Sequence, residues 1–164
     1  MRQEFIDAMR RVASSVTVVT TNGSHGRAGA TVSAFSSLTA DPPSVLVCLK
    51  TDSRIAQAVS ENSVYCVNVL PEGADELAQR FAGQFDSKTP DRFENLSIWE
   101  TDGNGPGLVG ATVFACNVEK CVAHGSHTIF IGGVTQIFCA SDRPLTYLNG
   151  AYHQVRPQSK SEEE

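Results

Sequence analysis

Hydroxyl side chains recur through Ala30-Thr31-Val32-Ser33-Ala34-Phe35-Ser36-Ser37-Leu38-Thr39, a segment that otherwise has the composition of a β-strand. Two readings stand side by side. The hydroxyls line the solvent face of a half-buried strand, or small side chains and open backbone donors admit the polar edge of a ring ligand such as a flavin. A second stretch, Lys50-Thr51-Asp52-Ser53-Arg54, places two cations and two hydroxyls at a predicted strand end and helix start, where free amides and the helix dipole favour an anion. A phosphate would fit there, unless Asp52 caps the helix and takes the same amides. A third, His124-Gly125-Ser126-His127, could offer a metal pair, a general acid, or a neutral hydrogen-bonding group beside a bound ring. No carboxylate nearby completes a metal set, and Ser126 lacks the G-x-S-x-G setting of a nucleophilic serine.

Two familiar spacings argue for little. Gly105-Pro106-Gly107-Leu108-Val109-Gly110 matches G-x-G-x-x-G, but it follows a polar loop and leads into β-like text instead of opening a helix, and Pro106 has no amide hydrogen to give a phosphate. Cys116 and Cys121 stand five apart in strand-like text, which points them to opposite faces of a regular strand. Cys48, Cys66 and Cys139 lie within or at the end of apolar strands, the usual setting of buried free thiols.

The elements that must hold these groups are legible from periodicity. Phe5, Ile6, Met9, Val12 and Ala13 recur at helical spacing over Arg2 to Ala13. Val16 to Thr21 predicts a strand, Asn22 to Gly26 a turn, and Arg27 to Phe35 the returning strand; Asp41-Pro42-Pro43 is expected to stop pairing before the strand Val45 to Leu49. A short helix closes at Glu61-Asn62, followed by a strand over Val64 to Leu70 and a second short helix over Asp75 to Phe81. Gly83 to Leu108 is a long surface excursion, the kind of segment that forms lids or binding walls. Ala111 to Ala123 and Thr128 to Cys139 then form a hairpin. At least six strands, mostly adjacent in sequence, against three helices predict an antiparallel β-barrel with helices at its margin.

Thirteen Lys plus Arg against eighteen Asp plus Glu give a net charge of −5, which disfavours a nucleic-acid partner because phosphate backbones need clustered cations. No apolar run approaches the roughly twenty residues of a membrane helix, and the opening residues carry an acid by position four, so neither a membrane span nor a leader peptide is expected and the cytoplasm is the expected location. One domain is expected over 1–156, with an unstructured acidic tail over 157–164.

Taken in order, Thr31 to Ser37, Asp41-Pro42-Pro43, Cys48-Leu49-Lys50 with Ser53-Arg54, Cys66 to Leu70, Gln79-Arg80-Phe81-Ala82-Gly83, and Gly125-Ser126-His127 leading to Gly132-Gly133-Val134 resemble the short-chain flavin reductases. These are split-barrel, Greek-key NAD(P)H:flavin oxidoreductases that feed two-component monooxygenases. The resemblance spans about Phe5 to His153. It implies a homodimer holding FMN, or FAD, with NADH or NADPH as electron donor. It places Thr31, Val32, Ser33, Ala34, Phe35, Ser36 and Ser37 along the ring and ribityl chain, and Lys50, Thr51, Ser53 and Arg54 at the phosphate. Phe81 and Ala82 would close over the flavin, and Gly125 with His127 would meet the nicotinamide near Tyr152. Where the family has G-D-H this chain has Gly125-Ser126-His127, so an acid is missing and the nucleotide preference is open. The final acceptor is a monooxygenase partner or, as in some of the wider family, a cob(II) corrinoid. A flavin carrier or sensor without turnover, and a pyridoxamine phosphate oxidase, are the competing readings.

Overall fold

Residues rich in β-branched and apolar side chains extend, and those with three-to-four spacing coil, in a computed structural model that describes residues 1–140 and 142–158. Most of the expected acidic tail therefore lies outside the described residues. In chain order the elements are α1 (Arg2–Met9), β1 (Ser14–Ser15), β2 (Thr17–Thr21), β3 (Ala28–Val32), β4 (Phe35–Ala40), β5 (Pro43–Lys50), α2 (Arg54–Asn62), β6 (Val64–Val69), α3 (Asp75–Phe81), β7 (Ile98–Trp99), β8 (Gly107–Leu108), β9 (Thr112–His124), β10 (His127–Phe138), β11 (Leu145–Leu148) and β12 (Ala151–Gln154).

Seven of the strands form one antiparallel sheet in the order β3-β2-β6-β9-β10-β5-β4. Its two outermost strands, β3 and β4, are consecutive in the chain and joined by Ser33-Ala34 alone, so the sheet must curl until its edges meet. The carbonyl of Ala34 accepts from the Cys48 amide at 3.0 Å, which seats the junction on β5. The single strand predicted over Arg27 to Phe35 is therefore two. Strand-forming composition runs through the break, but the pairing partner changes from β2 to β5 across it.

Other boundaries shift for local reasons. Pro43 pairs with Ala40 and opens β5, so Asp41-Pro42-Pro43 makes a tight hairpin where the sequence predicted a stop; proline is tolerated at a strand's first residue. The hairpin predicted between Ala123 and Thr128 is present, but His124 and His127 pair within the strands and the turn narrows to Gly125-Ser126, with Gly125 at φ +56° in its first position. Cys139, read as lying with the buried thiols, falls just beyond β10 and is exposed, whereas burial pushes the thiols of Cys66 and Cys116 up to about 12. The helix predicted to reach Ala13 ends at Met9, and no residue of α1 is buried.

Side chains of β2 and β6 alternate between the two faces of the sheet, which is why both strands read as unbroken apolar text. Val19 and Val67 join Val47, Leu49, Phe130 and the inward side of α2, Ile55, Ala56, Ala58 and Val59. Val18 and Cys66 face a second group with Leu70, Ala78 and Phe81 beneath α3, and with Leu145 of a three-stranded sheet, β1-β11-β12.

A buried amide ties the late part of the long excursion to the sheet. Asn68 is wholly buried; its Nδ2 donates to the Val18 carbonyl at 2.9 Å and to Thr20 Oγ1 at 3.1 Å, and its Oδ1 accepts from the Leu108 amide at 2.7 Å. Thr20 in turn donates to the Pro106 carbonyl at 2.7 Å. Gly105, at φ +120°, lies so close to β2 that a Cβ would stand 2.9 Å from Thr21 Cα. The glycines of the G-x-G-x-x-G spacing thus serve a loop pressed on a strand. Replacing Asn68 by Leu strands three backbone or hydroxyl partners in the interior, and urea denaturation should register a loss of roughly 2 to 4 kcal/mol; an unchanged midpoint would show that the amide pins nothing.

Candidate functional site

As an end strand of the sheet, β3 pairs with β2 on one side only. The Gly29 carbonyl points to the unpaired side, where Arg92 Nη1 donates to it at 3.0 Å. Beyond that edge lies a cleft of about 670 Å³, walled by β3, by the start of α2, and by the segment from Asp86 to Phe93. Small residues, Ala28, Gly29 and Ala30, form its strand wall. The excursion supplies one wall of the cleft, through Asp86, Pro90, Asp91, Arg92 and Phe93.

Gly29 is small of necessity. A Cβ there would lie 2.6 Å from Phe81 Cε1 and 2.9 Å from Phe93 Cζ. Those two rings meet edge to face with centroids 5.0 Å apart, and Arg27 lies 4.5 Å over the Phe93 ring. Arg92 also donates from Nη1 to the Phe81 carbonyl at 2.8 Å, and pairs in bidentate fashion with Asp86, Nε to Oδ1 at 2.8 Å and Nη2 to Oδ2 at 2.6 Å. These hydrogen bonds hold the Asp86 carboxyl below the usual carboxylate range and raise Arg92 above its own.

At the opposite wall Ser53, and not Asp52, caps α2. Its Oγ accepts from the Ala56 amide at 3.3 Å and donates to the Lys50 carbonyl at 2.6 Å, while Asp52 is drawn aside to Lys50 Nζ at 3.1 Å. Arg27 is paired with Asp91 at 3.0 Å and Arg92 with Asp86. Among the described residues no carboxylate comes within ion-pair distance of Arg54. The cleft therefore presents one uncommitted guanidinium beside a helix N-terminus, an arrangement suited to a phosphate-bearing ligand.

The structure brings some of the sequence-predicted residues together and separates others. Ser53 and Arg54 line the cleft. Lys50 and Thr51 sit next to them but face the β9–β10 hairpin: His127 is the strand partner of Lys50, the Thr51 amide donates to the Ser126 carbonyl at 3.0 Å, and the Thr51 and Thr128 hydroxyls are 2.9 Å apart. His127 is exposed at that tip, with Nδ1 at 2.9 Å from Ser126 Oγ, and Gly125 makes the turn. Ser33 and Ala34 form the barrel junction, both exposed. Thr31 and Val32 are half-buried, and Thr31 donates to the Ala78 carbonyl of α3 at 2.6 Å. Ser36 and Ser37 are exposed on β4, while Phe35 turns toward Phe114, ring centroids 5.9 Å apart, in a smaller hollow of about 270 Å³. The Phe81 ring is wholly buried and does not line the cleft, and Ala82, also absent from the lining, caps α3 as an exposed residue. Tyr152 belongs to the three-stranded sheet, 5.5 Å from the Tyr147 ring, and is not among the cleft's lining residues. Arg27, Gly29, Asp86 and Arg92 escaped the sequence reading. One signal was available: Arg-Phe occurs at Arg80-Phe81, just before the excursion already suspected of binding, and again at Arg92-Phe93 within it.

Residues 9–156 match the model of the flavin reductase like domain. A curated relative, the FMN reductase (NADH) RutF of Ancylobacter novellus, is 42% identical over 159 residues, covering 94% of this chain and 85% of that one. Among solved structures, the flavin reductase PheA2 superposes with a TM-score of 0.86 at 31% identity over 96% of this chain and 99% of its own. A homologue of nitrilotriacetate monooxygenase component B from Mycobacterium thermoresistibile gives 0.86 at 26% identity over 99% and 91%.

Crowding at Gly29 yields a direct check on the strand wall. Gly29→Ala forces two buried rings apart, and its urea midpoint should fall by the equivalent of about 1 to 3 kcal/mol; a variant as stable as the parent would mean that the rings do not bear on β3.

Proposed function

The chain belongs to the flavin reductase like domain family, and on that premise we propose that it is a flavin reductase that draws electrons from NADH and delivers them to FMN. The observation that carries this reading is the cleft in which Arg54, free of any carboxylate among the described residues, stands at the N-terminus of α2 opposite the open edge of β3. Its residues fit FMN. The volume lies within the range of small-molecule sites, the strand wall carries no side chain larger than alanine at Ala28, Gly29 and Ala30, and the lining is net cationic around one unpaired guanidinium.

FMN, when bound, supplies a ring that accepts two electrons and a proton from reduced nicotinamide and passes the electrons on. The protein's part is to hold and orient. Ser53 and Arg54 take the phosphate, the outer edge of β3 and the junction Ser33-Ala34 offer backbone groups and a small hydroxyl to the ring's polar edge, and Phe93, backed by the buried Phe81 ring, keeps water from the strand side. His127, fixed beside Lys50 by the Thr51 to Ser126 hydrogen bond, orients the nicotinamide at the mouth by hydrogen bonding. A second copy of the chain would complete the site and bring Tyr152 to it; Phe5, Met9 and Val12, exposed along and just beyond α1, give such a dimer an apolar face. Delivery of reduced flavin to a partner monooxygenase is favoured by the likeness to nitrilotriacetate monooxygenase component B. No helix among the described residues is long and apolar enough to cross a membrane, in keeping with a reductase of the cytoplasm.

Anaerobic stopped-flow mixing with NADH and FMN tests the reading. The flavin absorbance should bleach as NADH is consumed, and His127→Ala should slow that bleaching by about tenfold or more, the scale of one lost orienting hydrogen bond, while FMN affinity holds. Absence of NADH-dependent bleaching would contradict the function; unchanged bleaching in the variant would remove His127 from it.

A further inference from the structure

The two Arg-Phe pairs, twelve residues apart, grip one another. Arg80, in the last turn of α3, donates from Nη2 to the Glu94 carbonyl at 2.6 Å and the Asp91 carbonyl at 3.4 Å, on either side of Phe93. Arg92 returns the contact by donating to the carbonyl of Phe81 at 2.8 Å. Each arginine thus holds backbone next to the other's ring, and the rings pack together on Gly29. The result is a reciprocal clasp that fixes the guanidinium of Arg92 from behind, through two carbonyls, and aims its remaining fork at Asp86.

That aim bears on the charges of the cleft. Its lining holds three guanidiniums, Arg27, Arg54 and Arg92, and two carboxylates, Asp86 and Asp91. Asp91 is taken by Arg27 and Asp86 by Arg92. Asp86 shares the cleft with Arg54, whose charge also helps to lower its carboxyl. Without Arg92, the cation left within the same lining for Asp86 would be Arg54. A bidentate pair whose guanidinium is already clamped by two carbonyls loses little freedom on forming, so it outcompetes an ion pair to the exposed Arg54.

We infer that Arg92 is a positioning residue that holds the Asp86 carboxylate away from Arg54, and so keeps Arg54 free for the phosphate of the flavin. This assignment rests on the function proposed above and goes beyond it by naming what sets the site's preference for a phosphorylated flavin. It makes Asp86 an internal competitor of the ligand's phosphate, restrained by the clasp.

FMN and riboflavin, which differ by that phosphate, separate a charge effect from collapse of the wall. Their affinities are measured by quenching of flavin fluorescence in the absence of NADH. Arg92→Met should weaken FMN by about tenfold, the scale of one charge-assisted hydrogen bond, and leave riboflavin within about twofold. Adding Asp86→Asn to Arg92→Met should return FMN to within about threefold of the parent, because the competitor is gone. Asp86→Asn alone, which spares the carbonyl contacts of Arg92 and so does not depend on the first variant folding, should keep the FMN-to-riboflavin affinity ratio at or above that of the parent, because the clasp already restrains that carboxylate. Equal losses for both flavins in Arg92→Met with no recovery in the double variant would overturn the assignment, as would an FMN-to-riboflavin affinity ratio in Asp86→Asn below that of the parent. A parent protein that binds neither flavin would overturn the proposed function and this assignment with it.

Discussion

An edge strand without a neighbour must find partners for its outward amides and carbonyls, and in this protein that requirement shapes everything around the cleft. The seven-stranded sheet closes through a junction of two residues, Ser33-Ala34, which leaves β3 and β4 as its two ends with no ladder between them. A longer link would let another segment pair with β3. Instead the outer side of β3 is met by a side chain, Arg92, at the Gly29 carbonyl, and by open space. The hollow is thus a consequence of how the sheet ends.

What fills the edge also sets the electrostatics. The chain as a whole carries a net charge of −5, yet three arginines meet in one cleft against two carboxylates. Two of the arginines are spent on those carboxylates, and the third stands at the mouth of a capped helix. Local geometry, and not the overall balance of charge, decides what such a surface attracts. The same economy appears in the core, where Gly29 gives up its side chain so that two phenylalanines can reach across the strand and carry the segment behind Arg92.

Much of this was legible before any coordinates. Local pattern placed α3 at Asp75–Phe81 and a hairpin connection within His124 to His127, because both are set by short-range pattern and turn chemistry. Ser53-Arg54 was recognisable as a candidate anion site or helix cap for the same reason, a cap residue and a cation at a helix start being local features, and Ser53 does cap α2. The break at Ser33-Ala34 was not legible, since composition stays strand-like through it and only the change of pairing partner marks it. The β11–β12 hairpin was missed although Asn149-Gly150, both at positive φ, carried a strong turn signal between short apolar runs. Arg27 lies far along the chain from the segment that carries Asp86 and Arg92, the two being brought together where Phe93 packs against Phe81 and Gly29, and packing at that range is not set by local pattern.

The central claim is that the edge of β3, the start of α2 and the Arg92 segment act together as one flavin site. The most direct measurement is a backbone amide NMR titration of the isotopically labelled protein with FMN. The account predicts that the amides of Gly29, Arg54, Ile55 and Arg92 shift together along one saturating curve while those of Asn149 and Gly150 stay put. Saturable shifts confined to other parts of the barrel, with Gly29 and Arg54 unmoved, would contradict it.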